Sequence, residues 1–386
     1  MIIKNGILYS EQNTFISADI ITENDLIQQL VLNNDDITDS TVNMHQVIDA
    51  TDCYIIPGLT DLHFHGCVGY DACDSSMEAM EAITTYELSH GITTISPATM
   101  TLPEEDLHAI LDTMHNYKLA HSDESHADII GVYLEGPFLS ESKKGAQDAT
   151  YIRKPDAGFY KRLQTAAHGL IRFVAVAPEE ENAIELIKEC HDEVGFTIAH
   201  TDSDYENAMR AFKAGAKQVT HLYNAMPSLH HRSPGVIGAA FDSKHSRVEI
   251  IADGNHIHPS VVRLTFQLFG DDRVILISDS MSATGMPDGK YSLGGQDVYV
   301  ENSIAKLEDQ VTIAGSTTNL YDCMCRAIKM GIPFESAIKA ACENPIKALG
   351  LYDNYGSITP NKKANLLILN KDLQIQHIIK DGKLFK

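Results

Sequence analysis

The sequence is poor in positive charge, contains no tryptophan and has no long apolar run. Its 386 residues include 30 Lys and Arg against 53 Asp and Glu, a formal net charge of −23. This balance argues against nucleic-acid binding, because neutralising phosphates requires clustered Lys and Arg. No stretch approaches the roughly 18 apolar residues of a membrane span. We therefore expect neither nucleic acid nor membrane as a partner, although a small phosphorylated ligand needs only one or two local cations.

Other absences concern redox chemistry, export and nucleotides. The seven cysteines are an odd number and include no C-x-x-C pair, which is typical of reduced thiols in the cytosol. The first residues lack a basic segment followed by an apolar one, so no secretory signal is predicted. Neither a Walker A motif nor G-x-G-x-x-G is present, so nucleotide binding has no support. The expected location is the cytoplasm.

The central part of the chain alternates between β-branched segments and helical segments. Successive strands are separated by roughly 20–40 residues, the spacing of βα units. Eight such units favour an α/β fold built as a closed (β/α)8 TIM-type barrel over an open doubly wound sheet. The predicted strands are 54–59, 92–96, 129–134, 171–175, 196–199, 218–220, 248–252 and 274–278.

The two ends of the chain contain only short predicted strands and turns. Neither end is long enough to bury a core alone. We therefore expect residues 1–52 and 355–386 to form one small β-sandwich domain beside a barrel of residues 53–354. The stretch 286–313 is predicted to be hairpin-like.

Potential metal ligands follow the first and third predicted strands. His63 and His65 are two residues apart, so in an extended chain both face the same side. Asp61, on that side, is a candidate to orient them. Glu135 follows an apolar strand, where a carboxylate is costly to bury without a cation. Taken singly, the histidines could be surface residues and Glu135 an exposed strand-end residue.

Three further polar residues end later strands: His200, His221 and Asp279. A single histidine there is more often a hydrogen-bonded core residue, and a single aspartate a helix cap. The joint pattern favours function, because a barrel brings the C-terminal ends of its strands together. Four histidines and a glutamate suit one or two sites for Zn²⁺, Fe²⁺ or Mn²⁺, with Asp279 left to accept a proton from water. The residues thus predict metal-assisted hydrolysis.

Four strings are more distinctive than His-x-His: Leu134-Glu-Gly-Pro-Phe138, Thr220-His-Leu-Tyr-Asn-Ala-Met226, Ala252-Asp-Gly-Asn-His256 and Ser278-Asp-Ser-Met281. With them, the sequence resembles the amidohydrolase superfamily, and within it the sugar-phosphate deacetylases, over its whole length. The resemblance implies an amidohydrolase-type barrel. It also implies hydrolysis of N-acetyl-D-glucosamine 6-phosphate to D-glucosamine 6-phosphate and acetate, in amino-sugar catabolism and cell-wall sugar recycling.

The resemblance assigns roles to the metal and catalytic residues. Glu135, His200 and His221 match the metal site common to these deacetylases. His63 and His65 match a pair that adds a second ion in some members and is missing from others. One or two divalent ions per subunit are expected, Zn²⁺ ahead of Fe²⁺ or Mn²⁺, and Asp279 matches the catalytic aspartate.

The resemblance also implies substrate contacts. Asn224, the backbone of Ala225, and His256 match positions that bind the sugar and its phosphate. Arg232 matches an arginine that reaches the phosphate bound by the neighbouring subunit, so a homodimer or a tetramer is expected. Gln147 stands where many relatives have histidine. An amide there can hydrogen-bond a substrate, but it cannot act as a protonated imidazole.

Two alternatives remain open at this point. One is another amidohydrolase, such as a cyclic amidase or an adenine-deaminase-like enzyme, which would have no use for phosphate-binding residues. The other is a non-catalytic barrel that serves as a scaffold, since a fold does not determine function. The complete set of metal ligands disfavours the scaffold.

Overall fold

The computed structural model describes residues 1–32, 46–121 and 125–386. Strands from both ends of the chain pair in one sheet, as predicted for the β domain. The strands of this sheet are Ile2–Lys4, Ile7–Tyr9, Phe15–Glu23, Leu26–Leu32, Val47–Asp49, Tyr54–Pro57, Leu366–Leu369, Ile375–Lys380 and Lys383–Leu384.

Two strands hold this sheet together. Tyr54–Pro57 joins the two ends of the chain, because it pairs in parallel with Ile7–Tyr9 and antiparallel with Leu366–Leu369. The long strand Phe15–Glu23 pairs with Ile7–Tyr9 through its first residues and with Ile2–Lys4 further along. The sheet buries an aliphatic cluster that includes Ile3, Leu8, Ile20, Ile55, Leu366 and Ile379. The exact domain boundaries stay a prediction.

A curled sheet of parallel strands forms the barrel, which confirms the predicted fold class. Its strands are Leu59–Phe64, Ile92–Pro97, Asp128–Ile129 with Val132–Leu134, Ile171–Val176, Gly195–Ile198, Gln218–Val219, Arg247–Ile251 and Val274–Ile277. Neighbours in sequence are neighbours in space, and a bridge between Ala98 and Tyr133 links the second strand to the third. The ring closes where the backbone N–H of Asp279 donates to the carbonyl of His63 at 3.1 Å.

The predicted first barrel strand, 54–59, was wrong. Residues Tyr54–Pro57 belong to the terminal sheet, and the barrel strand is Leu59–Phe64. The apolar run 54–59 ends at the first residue of the barrel strand, whose later residues include Asp61 and His63, so hydrophobicity alone places the strand too early. Gly58 separates them, and a Cβ there would lie 2.3 Å from the Thr93 hydroxyl oxygen. His63 therefore lies within the strand and His65 just after it.

Helices follow the barrel strands and pack their apolar faces against them in one large core. The α-helices are Met77–Ser89, Glu104–Ala120, Ala157–Ala166, Ala183–Cys190, Tyr205–Ala214, Gly235–Asp242, Pro259–Phe269, Leu320–Lys329, Phe334–Ile338 and Asn344–Ala348. A π-helical turn spans Lys339–Glu343, and 3₁₀ turns span Glu141–Lys143 and Ala149–Tyr151. Among the described residues, no helix has both the length and the apolar character to cross a bilayer.

The hairpin-like stretch is an antiparallel sheet of three strands, Gly289–Leu293, Gln296–Glu301 and Ile304–Leu307. Leu293 and the residues after the third strand, Thr312 and Ile313, line the cavity at the C-terminal ends of the barrel strands. This sheet thus forms part of the wall of the candidate site.

Candidate metal centre

The structure brings together the six polar residues that the sequence places at strand ends. His63 lies in the first barrel strand and His65 directly follows it, and the others follow the third, fifth, sixth and eighth strands: Glu135, His200, His221 and Asp279. All six are buried. They form two groups of potential ligands, Glu135 with His200 and His221, and His63 with His65 and Asp279, and within each group the ligand atoms lie within 4.8 Å of one another.

Glu135 lies at the centre of this cluster. Its Oε1 is 3.1 Å from Nε2 of His221, 3.2 Å from Nε2 of His200 and 3.4 Å from Nε2 of His63. Its Oε2 is 3.2 Å from Nε2 of His65. One carboxylate therefore faces four imidazoles, which come from three different strands of the barrel.

The proton positions on two imidazoles indicate what this arrangement suits. Nδ1 of His200 lies 2.9 Å from the carbonyl oxygen of Lys143, which can only accept, so Nδ1 carries the hydrogen. In the neutral ring, Nε2 of His200 then carries a lone pair. This atom lies 3.2 Å from Nε2 of His221 and beside Glu135. Nδ1 of His63 likewise donates to a carboxylate of Glu249. Such converging electron-rich atoms repel unless a cation lies among them, so the residues fit a divalent metal.

Protonated imidazoles can take the place of such a cation, because the contacts with Glu135 and Asp279 raise the pKa of His63 and His65 against the effect of burial. Burial opposes the charge of Glu135, but His63 and the other imidazoles hold the pKa of its carboxyl well below the ordinary value. Burial likewise opposes the charge of Asp279, yet the contact with His65, whose Nε2 is 3.4 Å from Oδ1, lowers the pKa of that carboxyl. Asp279 is therefore a carboxylate, the form that can accept a proton.

Glu249 is a residue that the sequence analysis missed. It lies in the strand Arg247–Ile251, fully buried. Its Oε2 lies 3.1 Å from Nδ1 of His63 and 3.4 Å from the backbone N of His221, and Tyr133 donates to its Oε1 at 3.0 Å. The available signal was a carboxylate between the apolar residues Val248 and Ile250 of a strand, a position that is costly without partners.

Asp61 does not orient the His63 imidazole as expected. Its Oδ1 accepts the backbone N–H groups of Ser278, at 3.3 Å, and of His63, at 3.4 Å. It thus bridges the backbones of the first and last barrel strands, and Glu249 contacts the ring instead. Burial raises the pKa of Asp61 to about 7, against the lowering effect of the Ser278 hydrogen bond.

Three of the site residues have a left-handed backbone. The φ angles are +42° at His200, +29° at His221 and +49° at Asp279. Such conformations cost residues other than glycine about 1–3 kcal/mol each and are concentrated at functional sites. Each turns the chain directly after its strand and keeps the side chain among the ligands.

A cavity of about 410 Å³ opens beside the cluster, and His65, Glu135, His200, His221 and Asp279 line it. Three expected substrate residues, Asn224, Ala225 and His256, also line this cavity. His256 donates from Nδ1 to Asp253 at 2.8 Å, and this contact raises the pKa of the imidazole against the effect of burial. Asn224 donates to the carbonyl of His221 at 3.2 Å.

The other two expected substrate residues differ in position. Gln147 is buried in the cavity wall, where its amide donates to Oε2 of Glu135 at 2.9 Å and accepts the N–H of Thr101 at 2.7 Å. Arg232 is exposed and is not among the cavity-lining residues; its guanidinium contacts His231 at 2.7 Å. Lys143, which was not predicted, is the one Lys or Arg among the described residues that line the cavity.

The fold and sequence match known proteins. Residues 54–385 match the model of the amidohydrolase family. The chain is 36% identical over 367 residues to N-acetylglucosamine-6-phosphate deacetylase of Bacillus subtilis (strain 168), with 92% of each chain covered. It is 31% identical over 332 residues to N-acetylgalactosamine-6-phosphate deacetylase of Escherichia coli O157:H7, covering 86% of this chain and 87% of that one. The crystal structure of N-acetyl-D-glucosamine-6-phosphate deacetylase from Mycobacterium smegmatis superposes with a TM-score of 0.91 at 28% identity, covering 100% of both chains. The chain therefore belongs to the amidohydrolase family.

Proposed function

We propose that this protein removes the acetyl group of N-acetyl-D-glucosamine 6-phosphate, giving D-glucosamine 6-phosphate and acetate in amino-sugar metabolism. The observation that carries the proposal is the contact of Glu135 with four imidazoles, beside the carboxylate of Asp279 in one cavity. The named relatives, which cover most of the chain, support the substrate class.

The residues suit one or two divalent ions in each subunit. Glu135, His200 and His221 would hold one ion, and His63 with His65 would hold a second beside Glu135. Zn²⁺ suits this mixture of imidazole and carboxylate, as do Fe²⁺ and Mn²⁺. A bound divalent metal supplies polarisation of the amide carbonyl and a lower pKa for water.

Asp279 moves the proton. Its carboxylate accepts a proton from the attacking water as the new C–O bond forms. The same group then donates that proton to the nitrogen of the sugar as the C–N bond breaks, so the products are acetate and a free amine. The contact with His65 lowers the pKa of this carboxyl against the effect of burial and so keeps it in the required form.

Substrate positioning is proposed for residues at the cavity wall. Asn224, the backbone of Ala225, and His256 would hold the sugar and its phosphate, and Gln147 would add an amide contact. Lys143 supplies a cation within the same chain. Arg232, exposed outside this cavity, would serve the site of a second subunit in a homodimer or tetramer.

Free cysteines are in keeping with a cytoplasmic location.

Acetate release tests the proposal. We expect release from N-acetylglucosamine 6-phosphate at a kcat/KM far above that for N-acetylglucosamine, because the phosphate contacts position the amide. The relative named for N-acetylgalactosamine 6-phosphate makes that epimer the second substrate to assay. A metal-loaded protein that releases acetate from neither sugar phosphate would refute the proposal, and turnover of a cyclic amide or adenine alone would assign one of the other amidohydrolase activities.

A further inference from the structure

A cleft of about 570 Å³ lies at the end of the barrel opposite the metal centre. Its wall includes Arg172, Gly195, Gln218 and Arg247, which stand at or beside the first residues of four successive barrel strands. Because the strands are parallel and the metal ligands follow their C-terminal ends, the cleft and the metal centre lie on opposite faces.

Three cations of this cleft have no anionic partner. Arg172, Lys217 and Arg247 line the cleft, and none of them forms an ion pair with a residue in the described ranges. Of the other charged groups, Asp192 is 3.2 Å from His191, and Lys347 is paired with Glu343. Asp192 and Glu193 are the two carboxylates among the described residues of the cleft wall, against three cations that have no ion-pair partner. The local excess of positive charge stands out in a protein of net charge −23.

Arg247 is the most informative of the three. It is half-buried, and burial lowers the pKa of its guanidinium. Burial also lowers the pKa of Arg273, but that guanidinium donates to the carbonyls of Ser246, at 2.7 Å, and Ser243, at 2.9 Å. The Arg247 guanidinium donates to no described residue. A half-buried guanidinium that donates to no described residue leaves its N–H groups available to an acceptor in the cleft.

We propose that this cleft binds the phosphate group of a small molecule through Arg247, Arg172 and Lys217. Arginine presents paired N–H donors that match the oxygens of phosphate, and two arginines beside a lysine suit a dianion. The volume lies within the about 300–1,000 Å³ typical of pockets for small ligands. The site is independent of the proposed deacetylation, because it shares no residue with the metal centre.

Equilibrium dialysis with radiolabelled inorganic phosphate tests the site. The double variant Arg172→Gln/Lys217→Gln changes two exposed residues, so it should not affect folding, and Arg247→Gln removes the half-buried guanidinium. The matched control is Arg210→Gln/Lys213→Gln, which lowers the charge equally on the exposed face of the helix Tyr205–Ala214. We expect each cleft variant to bind one phosphate fewer per chain than the wild type, and the control to bind as many. KM for N-acetylglucosamine 6-phosphate should be unchanged, which keeps this result separate from the proposed function.

The radiolabelled phosphate that the wild type binds and the cleft variants do not bind is the phosphate in the cleft. Competition for this phosphate identifies the source of the phosphate group. Displacement by D-fructose 6-phosphate at lower concentration than by unlabelled phosphate supports an organic phosphate ligand, and the reverse order supports free phosphate. Unchanged phosphate binding in both cleft variants would overturn the proposal. An equal loss of binding in the control variant would overturn it as well, since the effect would then reflect net charge alone.

Discussion

Oε2 of Glu249 lies 3.1 Å from Nδ1 of His63, and both side chains are completely buried. This contact places the hydrogen of the imidazole on Nδ1 and leaves Nε2 facing Glu135. Partners of this kind set the orientation and basicity of metal-binding histidines.

Loss of this contact should weaken metal binding. In Glu249→Gln the shape is kept but the charge is lost, so we expect roughly 10–100-fold weaker binding of the ion that His63 holds. Competition with a chelator measures this change. Glu343→Gln is the control, because Glu343 is also buried but pairs with Lys347 away from the centre. Equal metal affinity in Glu249→Gln and wild type would show that Glu249 has no part in holding the ion.

The role of Asp279 as proton carrier can be separated from a role as ligand. Asp279→Asn cannot accept a proton, so kcat should fall by roughly 10²–10⁴ while bound metal stays near the wild-type amount. Steady-state acetate release at saturating substrate and elemental analysis, both on the same sample, give kcat and the metal content. Near-normal kcat would exclude the role, and loss of metal together with activity would make Asp279 a ligand.

The first-strand histidines decide the number of ions. Replacing His63 and His65 together with Ala should lower the metal content from about two ions per chain to about one, while Glu135, His200 and His221 keep theirs. Mass spectrometry of the native protein counts the ions directly. A stoichiometry that does not change would remove this pair from the ligand set.

Mixing of two inactive variants tests whether Arg232 acts across a dimer interface. Arg232→Ala and Asp279→Asn should each be nearly inactive alone at low substrate concentration. If Arg232 acts in trans, half of randomly reassociated dimers are mixed and half of their sites are intact, so about a quarter of wild-type activity returns. With subunit exchange verified by native mass spectrometry, no recovery would place Arg232 in the site of its own chain.

The sequence allowed the barrel and the six clustered residues to be predicted because both depend on local order along the chain. A buried strand followed by a polar residue is visible in the sequence, and parallel strands bring such residues to one face. The limit between the terminal sheet and the barrel could not be found, since Tyr54–Pro57 continues through Gly58 into Leu59 as one apolar run, while the rest of the barrel strand is of mixed polarity.

Contacts between distant residues were beyond prediction for a different reason. Glu249 and His63 are 186 positions apart, and nothing in the local pattern of either residue specifies the other. The contact of Gln147 with Glu135 likewise depends on how the loop after the third strand folds back. The position of Arg232 relative to a substrate depends on a second chain, so neither the sequence nor a single subunit determines it.

Titration of the metal-free protein with Zn²⁺ while acetate is measured tests the central claim most directly. The chelated protein should release no acetate from N-acetylglucosamine 6-phosphate, and activity should return in proportion to added metal until one or two ions per chain are bound. Acetate release by the metal-free protein at the rate of the untreated protein would contradict the account, as would a fully loaded protein without activity.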